Sequence, residues 1–193
     1  MRAFIIGLLL SLSPQTFADP ALPDDSIYQV GGTWQTENNQ MIQLASLAGK
    51  PQLIALIFTG CSNACPIIVE SMKRVENKIP MKLRSQMGFV LVSLTPETDT
   101  QKSLKVFAEK KGLNPNWKIL RGNDELVRTL SNALNGRYKV IKDGDVAHSN
   151  TVTLLNGQGQ IQAQASGTVS GIKSILEVVE QKYPSTALDT KRL

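Results

Sequence analysis

The sequence predicts an α/β fold: a central mixed β-sheet flanked by helices, with a β-hairpin extension at its N-terminal end. Three observations predict it. Apolar runs of strand length recur at residues 52–58, 88–94 and 117–120, and each is followed by a segment whose apolar residues keep helical spacing. Strand and helix in alternation demand a parallel core, because parallel strands need long crossover connections. The last third then changes character. Three short strand-like segments are separated by Asp143-Gly144 and Asn156-Gly157, the dipeptides that suit tight hairpin turns, and so add an antiparallel edge.

In chain order, residues 19–26 are rich in Pro and Asp and read as a flexible leader. From Ile27 the pattern is β-like through Tyr28 and Val30. Gly31-Gly32 makes a turn, and Trp34 and Met41-Ile42 flank the polar stretch 37–40. Gly49-Lys50-Pro51 punctuates before the first buried strand, 52–58. Ile67, Ile68, Ser71, Met72, Val75 and Ile79 then follow helical spacing. Pro66 suits the first helical turn, where its missing N–H costs nothing, and Pro80 ends the helix. After the strand 88–94, Thr98 or Asp99 is expected to cap a helix carrying Leu104, Phe107 and Ala108 and ending near Gly112. Trp117 opens a short strand. Asn123 caps a helix with Leu126, Val127, Leu130 and Leu134, which ends near Gly136. Segments 138–141, 151–155 and 161–165 read as a run of antiparallel strands. A final helix carries Ile172, Ile175, Leu176, Val179 and Tyr183 as a stripe, and 184–193 reads as a frayed tail. Residues 27–183 therefore form one domain, long enough for a sizeable core.

Residues 1–18 read as a cleavable export signal. Arg2 supplies the positive start, residues 3–12 are apolar, and Thr16-Phe17-Ala18 offers small residues for cleavage before Asp19. The apolar run is half the length of a membrane span of about twenty residues. The expectation is a periplasmic protein, with an uncleaved membrane anchor as the alternative. The net charge is +5, and Lys102, Lys105, Lys110 and Lys111 fall on what reads as a solvated helix face. Aromatic residues make up 5% of the chain, too few for base stacking along a basic stripe. Nucleic acid is excluded as an expected partner, and a monomer is expected.

The chemistry is concentrated in three residues. Cys61 and Cys65 are the only cysteines, and His148 is the only histidine. The cysteines follow a buried strand and precede Pro66 at a helix start, where open α/β sheets commonly hold their sites. A spacing of four residues lets two thiolates grip one ion, and the helix N-terminus favours the thiolate form. Two thiolates and one imidazole suit copper or zinc with one position open. Three functional readings follow. Copper binding uses Cys61, Cys65 and His148. Thiol–disulfide exchange needs only Cys61 as attacking thiol and Cys65 as resolving thiol. A catalytic zinc site would require a general base, and no carboxylate is evidently paired with the ligands. A purely structural disulfide is a poor staple, because it closes too short a loop. Met41, Met72, Met81 and Met87 are scattered and form no Met-rich copper motif. Trp34 and Trp117 read as core or rim aromatics, and Asp99 as a cap before a site residue.

Three motifs are similar to those of the Sco/SenC family of thioredoxin-like copper-binding proteins, over most of residues 28–182. Gly49-Lys50-Pro51 through Phe58-Thr59-Gly60-Cys61-Ser62-Asn63-Ala64-Cys65-Pro66 resembles the family's strand followed by Cys-x-x-x-Cys-Pro. Residues 93–100, Ser-Leu-Thr-Pro-Glu-Thr-Asp-Thr, resemble its strand-ending Ser-x-Asp-Pro-x-x-Asp-Thr. Ala147-His148-Ser149 resembles its Asp-His-Ser before a strand. Ser62, Thr95 and Ala147 depart from the usual proline, aspartate and acidic residue, although Asp143 and Asp145 lie near. The resemblance implies a thioredoxin-like fold and copper ligands at Cys61, Cys65 and His148, for Cu(I) and Cu(II). It also implies a metallochaperone that delivers copper to an exported copper enzyme, the dinuclear centre of cytochrome c oxidase subunit II among them, with a thiol reductant protein as a further partner.

Overall fold

The computed structural model describes residues 21–60, 64–141 and 145–184. The signal segment, Cys61 and the Asp143-Gly144 turn lie outside the described residues, as do residues 185–193 of the tail.

One seven-stranded sheet organises the chain. Its strands are β1 (Trp34–Thr36), β2 (Met41–Ile42), β3 (Gln52–Ile57), β4 (Gly88–Ser93), β5 (Trp117–Arg121), β8 (Thr151–Leu155) and β9 (Ile161–Ser166). They lie in the order β2-β1-β5-β4-β3-β8-β9. The three central strands are parallel: β3 pairs β4 from Gln52↔Gly88 to Ile57↔Ser93, and β4 pairs β5. β8 and β9 add the antiparallel edge, and the β1–β2 hairpin closes the other side antiparallel to β5. Strands buried on both faces read as continuous apolar runs. Accordingly, all six residues of β3 and all six of β4 are buried.

The helices are α1 (Ala64–Lys78), α2 (Met81–Gln86), α3 (Gln101–Lys110), α4 (Asp124–Ala133) and α5 (Ile172–Lys182). Ile68, Val69, Met72 and Val75 give α1 its buried stripe. α1 packs on α5, and α3 against β5. α4 lies over the N-terminal hairpin. A Cβ on Gly122 would stand 2.9 Å from the Trp34 ring and 3.2 Å from Leu126 Cβ, so only glycine lets these pieces close together. Asn123 caps α4 as expected, its side chain accepting from Leu126 N–H at 2.8 Å.

Several elements differ from the sequence expectation, each for a local reason. Residues Ile27–Gln29 form a 3₁₀ turn, not a strand: the Ser26 hydroxyl accepts from Tyr28 N–H, and Val30 N–H closes the turn onto the Ile27 carbonyl at 3.2 Å. α2 was not anticipated, because its six residues bury only Leu83 and show no apolar period. The cap of α3 is Thr100, whose side chain accepts from Ser103 N–H, in place of Thr98 or Asp99. Finally, β6 (Tyr138–Val140) does not join the main sheet. It pairs with β7 (Val146–His148) in a separate two-stranded ribbon, because β6 buries neither face.

Candidate metal-binding site

The site is built at the carboxyl edge of the parallel strands. β3 and β4 end side by side at Ile57 and Ser93, and Leu94 N–H still donates to the Ile57 carbonyl at 2.7 Å. The chain then runs through buried Phe58, half-buried Thr59 and exposed Gly60 toward Cys61, which lies outside the described residues together with Ser62 and Asn63. It returns as α1, of which Cys65 is the second residue and Pro66 the third. The strand-to-helix transition expected around the cysteines is therefore present.

His148 reaches the same edge from another direction. It ends β7, opposite Tyr138. β8 then runs antiparallel to β3, with Ala55 opposite Val152, so the residues just before β8 lie beyond the carboxyl end of β3. The consequence is a direct contact. The His148 and Phe58 rings meet edge to face, with centroids 6.1 Å apart and planes at 83°, a favoured aromatic geometry. The neighbouring chain closes on α1 as well. Gly167 N–H donates to the Asn150 carbonyl at 2.8 Å, and a Cβ on Gly167 would lie 2.4 Å from Asn150 Oδ1 and 3.0 Å from Ile68 Cγ1. Ile68 is one turn beyond Cys65. The fold thus gathers His148, the strand end leading to Cys61 and the first turns of α1 at one edge.

The imidazole is set up as a neutral donor. Burial pushes the His148 pKa below its ordinary value of 6.5, against the opposing effects of the Ser149 carbonyl and the Asp145 charge. Nδ1 lies 3.0 Å from the Ser149 carbonyl oxygen. A carbonyl only accepts, so Nδ1 carries the proton and Nε2 carries the ring lone pair. A metal-ligating histidine is commonly oriented by such a bond from its other nitrogen. Asp145, one of the two acids near the histidine in sequence, acts on the ring through space. Asp143 lies outside the described residues. Among the described residues, no three His, Cys, Asp or Glu side chains gather as a metal cluster.

One residue at this edge does something other than the helix capping that its sequence position suggests. Asp99 is 2% exposed and does not cap α3. Its carboxylate turns back to accept from Thr59 N–H at 3.1 Å, from the Thr59 hydroxyl, and from the Ser93 hydroxyl at 2.6 Å. The available signal was Thr100 itself, an equally good cap one position later that leaves Asp99 unneeded there.

Comparison with known proteins bears on the same region. Residues 26–182 match the SCO1/SenC family. The "Putative copper-binding protein" of Stutzerimonas stutzeri is 26% identical over 72% of this chain and 71% of its own length. Among solved structures, a SCO1/SenC family lipoprotein from Bacillus anthracis superposes with a TM-score of 0.70 at 21% identity, covering 78% of this chain and 92% of that one. Arabidopsis thaliana ScoI with copper bound gives 0.66 at 18% identity, covering 79% of this chain and 99% of that one. These likenesses agree with the thioredoxin-like, mixed α/β architecture. No helix among the described residues is long and apolar enough to cross a membrane.

Proposed function

We infer that this chain, which belongs to the SCO1/SenC family, is a periplasmic metallochaperone that takes up copper through Cys61, Cys65 and His148 and hands it to an exported copper enzyme. The observation that carries this reading is the placement of His148. It is the only imidazole of the chain, burial lowers its pKa and so favours the neutral, ligating form, and it rests against Phe58, three residues before Cys61. Disulfide exchange between Cys61 and Cys65 gives a histidine no work to do, whereas a copper site uses one. The donor set fits copper: two soft thiolates favour Cu(I), and the imidazole accommodates Cu(II).

Copper is the cargo here. Uptake requires both cysteines reduced, and in an oxidising compartment that calls for a thiol reductant protein as upstream partner. Release follows by ligand exchange onto the thiolates and imidazoles of a recipient. The dinuclear copper centre of cytochrome c oxidase subunit II is the recipient that family membership favours. The apolar run at residues 3–12 supports export by a cleaved signal, and the lipoprotein neighbour supports export with anchoring as the alternative.

The test is direct. Reduced protein should bind one copper per chain, and the Cu(II) form should show intense thiolate-to-copper charge-transfer bands. A double Cys61→Ala, Cys65→Ala variant should lose both. Copper binding that survives in that variant unchanged removes the site.

A further inference from the structure

Asp99 is an acidic side chain buried at the site's edge with no obvious task. Burying a charge is costly unless hydrogen bonds compensate it. Here the compensation comes from the ends of two strands and not from the helix that Asp99 precedes. Thr59 donates twice, through its backbone N–H at 3.1 Å and through its hydroxyl. Ser93 donates at 2.6 Å, and its oxygen in turn accepts from Thr95 N–H at 3.2 Å. The cap of α3 is already provided by Thr100.

What Asp99 holds is the chain on its way to Cys61. The β3–β4 ladder ends at Ile57↔Ser93, so past Ile57 the strand loses its parallel neighbour. The Asp99 carboxylate takes over that function two residues later, at Thr59. Cys61 is then only two peptide units away, a reach of about 7.6 Å at most between Cα atoms. Cys65 is placed by a different element, as the second residue of α1, whose stripe of Ile68, Val69 and Met72 is locked in the core. The chain leading to Cys61 and the helix that carries Cys65 are therefore held by different contacts, the one by Asp99 at Thr59 and the other by the core.

We propose that Asp99 is a positioning residue: by holding Thr59 it sets where the chain leaves the sheet, and with that the separation between Cys61 and the helix-borne Cys65. This rests on the reading of the two cysteines as one site, and it predicts effects on any chemistry that uses both sulfurs.

The experiment compares the wild type with Asp99→Asn, Thr59→Val and Thr59→Ser as full chains. Two properties are measured on each: the Cu(I) dissociation constant against a competing chelator, and the equilibrium constant for Cys61–Cys65 disulfide formation in a glutathione buffer. The first two variants should each weaken copper binding by about tenfold, the scale on which loss of an outer-shell support is felt. They should also lower the disulfide equilibrium constant by about fivefold, because loosened thiols meet less often. Their Cu(II) charge-transfer bands should shift at saturating copper. Thr59→Ser keeps both donors and should match the wild type. If Asp99→Asn proves unfolded, Thr59→Val, which is nearly isosteric and keeps the N–H, decides alone. A wild type that takes up no copper defeats the metallochaperone reading, and the glutathione equilibrium still decides for or against Asp99. Asp99→Asn and Thr59→Val variants indistinguishable from the wild type in both measurements overturn the proposal.

Discussion

Phe58 and His148 stand edge to face, 6.1 Å between ring centroids, and this contact couples the end of β7 to the end of the strand that leads to Cys61. It joins residues that are distant in sequence and local in the fold. Several consequences are open to measurement.

Replacing His148 separates the two chemistries available to the cysteines. The imidazole is one of three proposed protein ligands, whereas thiol–disulfide exchange uses sulfur alone. His148→Ala should weaken copper retention by more than the roughly 10- to 100-fold typical of losing a mere outer-shell partner. It should leave reduction of a small-molecule disulfide nearly intact. Chelator competition and reductase rate on the same preparations check this. Copper affinity indifferent to the change would transfer the function to disulfide exchange.

The pH dependence has a definite sign. Burial holds the His148 pKa in the folded chain below its ordinary 6.5, so the unfolded chain binds the proton more tightly. The stabilisation is fully present above pH 6.5 and is lost as the pH falls through the lower, folded value. An NMR titration of the metal-free protein should place the imidazole midpoint below 6.5. A His148→Gln variant should lack that part of the acid destabilisation. Because the neutral ring is the ligand form, copper retention should also persist somewhat below that pH.

Phe58 is 5% exposed and serves both core and site. Phe58→Ala should cost about 3–5 kcal/mol, the usual range for emptying a buried aromatic position. Phe58→Leu should cost much less while still removing the ring contact. Urea unfolding measures the first effect. Copper off-rates should increase in the leucine variant even though it folds, and an unchanged off-rate would mean that the ring plays no part in holding His148.

A further test concerns the scaffold away from the site. Glu76, buried in α1, accepts from Trp117 Nε1 at 2.9 Å and from Asn114 Nδ2 at 2.6 Å, tying the helix to the start of β5. Trp117 also stacks on Phe89, 4.9 Å between centroids. Glu76→Ala strands the buried Trp117 N–H, whereas the exposed Asn114 amide can turn to water, and should destabilise by about 1–3 kcal/mol. Glu76→Gln keeps one acceptor oxygen and should lose less. Equal urea midpoints for wild type and alanine variant would show that these bonds contribute nothing net.

Much of this protein is written locally. The buried runs that became β3, β4 and β5, the apolar stripes of α1 and α5, Asn123 as a cap and Pro80 as a stop all follow from periods and side-chain chemistry within a few residues of chain. The sequence by itself also determined which residues own metal-binding chemistry, since one histidine and two cysteines leave little choice. The tertiary structure decided what such local signals leave degenerate. β6 left the main sheet for β7 because its strand pattern names no partner. The Ser26 hydroxyl, by accepting from Tyr28 N–H, turned an apparent strand into a 3₁₀ turn. Thr98, Asp99 and Thr100 were all chemically able to cap α3. Thr100 took the task because Asp99 found better donors across the sheet, at Thr59 and Ser93. The approach of His148 to Phe58 was decided in the same way. Both contacts depend on strand order and register, set by how the whole core packs, and no period within either segment encodes them.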